Sequence, residues 1–261
     1  MVKIYQIFIF TFIVIFCGSC ASKSLSIQDE ILKQYNKGIE YYNEEKYSKA
    51  KEAFQYVVLH STGSRLALES EFYLAESLYN MEDYFEALYS YDNYARSSPN
   101  IKLIELSRYK ICKCSYELST DYKKDQSTTT DALNKIEIFL EDYPESEYYE
   151  SVSKLSQDLR YKLAVKDYES AKLYMKLGEY TSALIYLLDV LNNYSELNVA
   201  DDVRITIIFA YILDDNYNLA LEFYNRENGN FKNIKKQQEA KELIVSSEQG
   251  VKITEYLRLF K

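Results

Sequence analysis

Four stretches of this chain share one pattern: KYSKAKEAF, DYFEALYSY, EYTSALIYL and NYNLALEFY. Each sets a tyrosine, an alanine three residues later and a large residue four beyond that. The sets are Tyr47/Ala50/Phe54, Tyr84/Ala87/Tyr91, Tyr180/Ala183/Leu187 and Tyr217/Ala220/Tyr224. A further copy lacks the tyrosine but keeps Ala132 and Ile136. Steps of three and four put these positions on one face of a helix. In chain order the five alanines lie 37, 45, 51 and 37 residues apart, a period that signals stacked supersecondary units.

A second helical segment precedes each copy. Where the spacing is regular, a small residue stands twelve positions before the alanine: Gly38, Ala75 and Ala171. Cys112 takes that place in the third copy, whose second helix is displaced by eight residues, and Ile208 takes it in the fifth. Two antiparallel helices can approach closely only if small side chains sit at their crossing, and such a pair buries its apolar face only by stacking on the next. This pattern resembles the tetratricopeptide repeat over roughly residues 27–228. The resemblance implies an all-α fold, a right-handed α-solenoid of about five tetratricopeptide-type helix pairs with a C-terminal capping helix.

The irregular spacings predict local departures. The third-copy insert falls near TDYKKDQSTTTD, where Thr128-x-x-Asp131 reads as a capping box for the next helix. Pro99 and Pro144 end two copies. After Pro144 neither Gly nor Pro occurs until Gly178, and Tyr148, Val152, Leu155, Leu159 and Leu163 form an apolar stripe. That stretch predicts one helix of about thirty residues, or two nearly collinear ones. Residues 229–261 read as a capping segment for the open end of the solenoid.

The first residues set the compartment. The run Ile4–Phe16 is apolar apart from Gln6 and Thr11. It is shorter than the ~20 residues that span a bilayer and suits the apolar region of a signal peptide. The run leads into Cys17-Gly18-Ser19-Cys20, which resembles a bacterial lipobox whose final cysteine is acylated. Residues 1–19 are then the signal, Cys20 the lipidation site and 20–26 a lipidated linker. An ordinary signal peptide cut elsewhere is the other reading. Ala21, rather than aspartate, follows the cysteine, and the resemblance to lipoproteins then implies the outer membrane, with the chain facing the periplasm and held by its lipid.

Composition narrows the function. The net charge is −9 and removing residues 1–19 removes one lysine, giving −10; an acidic chain with one histidine argues against nucleic acid, whose phosphates need a basic stripe. His60 cannot make a zinc site with Cys112 and Cys114, which lie on different sides of a helical segment and read as buried free thiols. There is no phosphate loop and no metalloprotease motif, so neither enzyme activity nor a cofactor is expected.

In order along the chain, the lipobox, five repeats, Asp125-Gln126 in the insert, FLEDYPESEYYESV and the long helix into GEYTSAL resemble the BamD family, tetratricopeptide lipoproteins of outer-membrane barrel assembly. The resemblance implies binding of a BamA-like barrel protein and of unfolded outer-membrane proteins. It places substrate on the N-terminal repeats (27–144) and the assembly partner on the C-terminal ones (145–228), where Arg204 is the basic candidate for the partner contact. Two other readings share parts of the pattern: a scaffold of Tol–Pal and cell-wall coordination, and a glycan-binding lipoprotein, which would ordinarily use tryptophan, absent here.

A peptide groove is expected on the first helices of the early copies. At positions seven apart these carry Tyr35 and Tyr42, Phe72 and Tyr79, and Tyr109 and Tyr116. The corresponding residues are Tyr168 and Met175 in the fourth copy and Ile205 and Ile212 in the fifth, so the aromatic series fades along the chain.

Overall fold

The computed structural model describes residues 27–248, so the signal, Cys20 and the linker lie outside the described residues. The fold is all-α, with no strand among the described residues. The helices are α1 (27–43), α2 (Tyr47–His60), α3 (Arg65–Asn80), α4 (Tyr84–Ser97), α5 (Ile101–Glu117) and α6 (Ser127–Asp142). They continue with α7 (Tyr149–Leu177), α8 (Tyr180–Tyr194), α9 (Ala200–Leu213) and α10 (Tyr217–Glu227), then a 3₁₀ turn (Asn228–Asn230) and α11 (Ile234–Glu248). The expected pairs are therefore α1/α2 through α9/α10, with α11 in the capping segment.

The small positions are where the repeat pattern places them. Ala50, Ala87, Ala132, Ala183 and Ala220 are all fully buried, as are Ala75 and Ala171. A side chain at Gly38 would put its Cβ 2.7 Å from the ring of the buried Phe54, so α1 and α2 approach at a distance only glycine allows. Of the large members of the pattern, Phe54, Tyr91, Ile136 and Leu187 are also buried, whereas Tyr224 in the last copy is half-buried next to the buried Phe223.

Four of the pairs are joined by one turn. Glu45, Glu82, Gly178 and Asp215 each stand two residues before the pattern tyrosine, and each has a positive φ of 55–78°. This left-handed residue ends the first helix and reverses the chain into the second. Only the fourth pair uses glycine for it. The third pair has the insert instead. There Gln126 is buried and its amide donates to the carbonyls of Asp121 and Lys124, while Thr120 Oγ1 donates to the carbonyl of Asp125. The α6 helix starts at Ser127, so Thr128 falls inside the first turn and not at a capping box; the Asp125 carboxylate accepts from the Ser127 amide instead.

The stretch after Pro144 forms one continuous 29-residue helix, α7, roughly 44 Å long. The chain divides into two compact units. One comprises residues up to Leu118 together with Lys135–Val152, and the other comprises Ser119–Asn134 and Ser153 onward. In the first, α2, α3, α4 and α5 pack in sequence around Phe54, Leu74, Leu78, Tyr91 and Ile111. In the second, α9 is central, flanked by α8, α10 and α11, and is buried almost throughout.

Candidate peptide groove and partner contact

Within the first unit the six aromatic residues lie on α1, α3 and α5, and all six are half-buried. Each first helix meets the next through them. The Tyr35 hydroxyl donates to Glu69 (3.1 Å) and the Tyr42 hydroxyl to Glu76 (3.5 Å), each partner 34 residues further along the chain on the next first helix. Lys110, another 34 residues on, pairs with Glu76 at 2.9 Å, and the Tyr91 hydroxyl donates to the same carboxylate at 2.5 Å. Tyr42, Glu76 and Lys110 thus form a polar line across three successive first helices.

The rings continue this seam. Tyr79 has Lys110 Nζ 4.3 Å and Lys113 Nζ 5.4 Å from its ring centre, a cation–π arrangement. Tyr109 stacks on Tyr148 with ring centres 4.3 Å apart. Phe72 packs against Tyr91 and Tyr94 and belongs more to the core than to a binding face. Burial, and next the hydrogen bond to Glu69, pushes the Tyr35 phenol up to about 12. Burial, and next the charge of Glu76, pushes the Tyr42 phenol up to about 12.

The structure thus gathers the predicted rings on one series of helices and adds residues that sequence reasoning missed, Glu69, Glu76 and Lys110. Their signal was a 34-residue spacing, from Tyr35 to Glu69, from Tyr42 to Glu76 and from Glu76 to Lys110. On an amphipathic helix a lone carboxylate or lysine reads as solvated, which hid it.

Arg204 corrects its expectation. It is only 3% exposed, so its guanidinium does not present to a partner. Its two sides bond to Asp201 and Glu227, each at 3.1 Å. Asp201, equally buried, also accepts from the backbone amides of Lys232 (3.0 Å) and Asn233 (2.8 Å), which lead into α11. Asp202 pairs with Lys236 on α11. The acidic pair and Arg204 therefore fasten α10 and the capping helix to α9.

The thiols are as expected. Cys112 and Cys114 are free and buried, and burial pushes both up to about 12. No group of three or more metal-ligating residues occurs among the described residues, and no helix among them is long and apolar enough to cross a membrane.

The profile of YfiO, an outer membrane lipoprotein family, matches residues 28–212. The chain belongs to this family. The YfiO profile covers all five first helices as far as Ile212 of α9, so the half-buried rings and the Tyr42–Glu76–Lys110 line both fall inside it. The chain is also similar to the outer membrane protein assembly factor BamD of Rickettsia prowazekii (strain Madrid E), 25% identical over 198 residues that make up 75% of this chain and 79% of the relative. Similar solved structures include the TPR2AB-domain:pHSP90 complex of yeast Sti1 (12% identity, 84% of this chain and 98% of that one, TM-score 0.41). Another is a thermophilic TPR protein of Thermus thermophilus (14% identity, 82% and 99%, TM-score 0.32).

Proposed function

We propose that this YfiO-family protein is the lipid-anchored, non-enzymatic subunit of an outer-membrane barrel-assembly machinery. In this reading Cys20 carries the lipid, and the later repeats hold a BamA-like barrel protein. The early repeats receive unfolded barrel proteins as extended peptides. The family match over residues 28–212 carries the proposal.

The first unit offers features that suit the substrate role. Half-buried tyrosines are held rigid by neighbouring helices yet keep an accessible edge, and rigid amphipathic rings are the usual hot spots of binding surfaces. An extended strand with alternating apolar side chains would place them between successive first helices. For the partner, Arg204 is replaced as a candidate by exposed residues of the later repeats such as Ile185, 68% exposed on α8.

Co-purification tests the whole reading. Recovery of barrel-assembly components supports it, and recovery of Tol–Pal components in their place overturns it. Photo-crosslinking to a peptide from the end of a barrel protein tests the groove. Crosslinks at Tyr79, Tyr109 and Tyr116, weakened by Tyr109→Ala with Tyr116→Ala while helicity is kept, are expected. Crosslinks confined to α8–α10 would reassign the groove.

A further inference from the structure

The end of the first repeat where α1 begins carries exposed apolar side chains around a cleft. The start of α1 and the end of α2 lie side by side there and enclose an open cleft of about 760 Å³. Ile27, Ile31, Leu32 and Leu66 supply its apolar lining. Of the lining, Leu32 is 49% and Ile27 47% exposed, and Leu59, the chain neighbour of the lining residue His60, is 76% exposed. Asp29 is the one carboxylate of the lining, which holds neither lysine nor arginine.

Part of the polar backbone at this end is covered by neighbouring side chains. The Thr62 hydroxyl donates to the carbonyl of Val58 (3.1 Å), which the end of α2 leaves without a helical partner, and the Ser61 hydroxyl adds a second donor (2.6 Å) to the Val57 carbonyl, which already accepts from the Ser61 amide. His60 Nδ1 bonds the carbonyl of Tyr56, and its ring stacks on the Tyr56 ring at 4.0 Å. Ser64 accepts from the Ala67 amide and caps α3. Exposed apolar side chains at a helix end where neighbouring side chains cover part of the carbonyls fit a medium poor in water.

Chain length says which medium. Cys20 lies seven residues before Ile27, and seven residues reach at most ~25 Å. An acyl anchor at Cys20 therefore keeps this end of the first repeat within that distance of the bilayer at all times. We infer that the free end of the first repeat, through Leu59, Leu32 and Ile27, docks on the surface of the bilayer that holds the anchor. This rests on the lipoprotein reading of Cys20. The docked end fixes which way the repeats leave the membrane.

The chain has no tryptophan, so one introduced indole reports alone. Leu59→Trp is compared with Phe85→Trp, at a residue 73% exposed on α4. Both are measured in the acylated full chain on vesicles of phosphatidylethanolamine and phosphatidylglycerol with brominated acyl chains, with helicity checked for each. The inference expects the emission of Leu59→Trp to move to shorter wavelength and to be mostly quenched, with Phe85→Trp unchanged. If the chain sediments with vesicles while Leu59→Trp stays water-like, the anchor holds but the docking is wrong. Equal quenching of both indoles assigns the wrong face and overturns the inference. A chain that carries no acyl group and fails to sediment removes the lipoprotein reading, and the docking with it.

Discussion

At the scale of single residues, the turn between paired helices shows where backbone energy is stored. Glu45, Glu82 and Asp215 adopt a positive φ that glycine takes freely, and Gly178 shows the same turn without the strain. A left-handed conformation costs a residue with a Cβ roughly 1–2 kcal/mol. Glu82→Gly should therefore raise stability, less whatever the freer unfolded chain gives back, and Gly178→Ala should lower it by about 1 kcal/mol. Chemical denaturation of the two variants beside the parent checks both signs. The buried hydroxyls and thiols make a second prediction. The phenols of Tyr35 and Tyr42 ionise at about 12 in the fold against 10 ordinarily, and the thiols of Cys112 and Cys114 at about 12 against 9. The unfolded chain loses these protons first, so their contribution to stability is complete below pH 9, declines as pH rises and is gone by about pH 12. The thermal midpoint followed by circular dichroism should fall from about pH 9 upward. A flat midpoint to about pH 11 contradicts the buried setting of these groups.

At the scale of elements, the question is what holds each helix to its neighbour. Gly38 faces the ring of Phe54 with no room for a methyl group. Alanine would gain ~0.5–1 kcal/mol of helix preference and lose ~1–3 kcal/mol to overpacking. The ring is fully buried and cannot step aside, so Gly38→Ala should destabilise the first pair, read as a lower melting temperature. In the second unit, Arg204→Ala would leave the buried Asp201 without its cation and Glu227 with only the exposed Arg226. Breaking a buried pair from one side costs about 3–5 kcal/mol. The loss should appear as faster hydrogen exchange in α10 and α11, with exchange in α2–α5 unchanged. These two sites also show what could be read from the chain. The Gly38, Ala75 and Ala87 register was legible because close approach restricts residue type, and such restriction leaves a pattern. The long α7 was legible because helix breakers are absent from it. The fate of Arg204 was not, because its partners stand 3 and 23 residues away in an acidic neighbourhood that resembles any solvated face. Glu76 was hidden for the same reason: burial of a charge depends on all the elements around it, and a sequence shows one at a time.

At the scale of the whole molecule, the chain belongs to an outer membrane lipoprotein family, and the proposed anchor is Cys20. Cys20→Ala should remove acyl labelling and shift the protein from the membrane fraction to unprocessed precursor or soluble material; normal labelling in that variant would locate the anchor elsewhere. The division between the compact units passes through α6 between Asn134 and Lys135, and through α7 between Val152 and Ser153, as well as between Leu118 and Ser119. Two of these three boundaries therefore cut a hydrogen-bonded helix and not a loop. A protease that nicks exposed loops has no site at which it would release either unit whole. A half-chain ending at either helical boundary inherits a frayed terminus with an apolar stripe and no neighbour to cover it. Separating the proposed substrate-receiving part from the partner-holding part thus calls for point substitutions in the intact chain, since truncation would change folding and binding together.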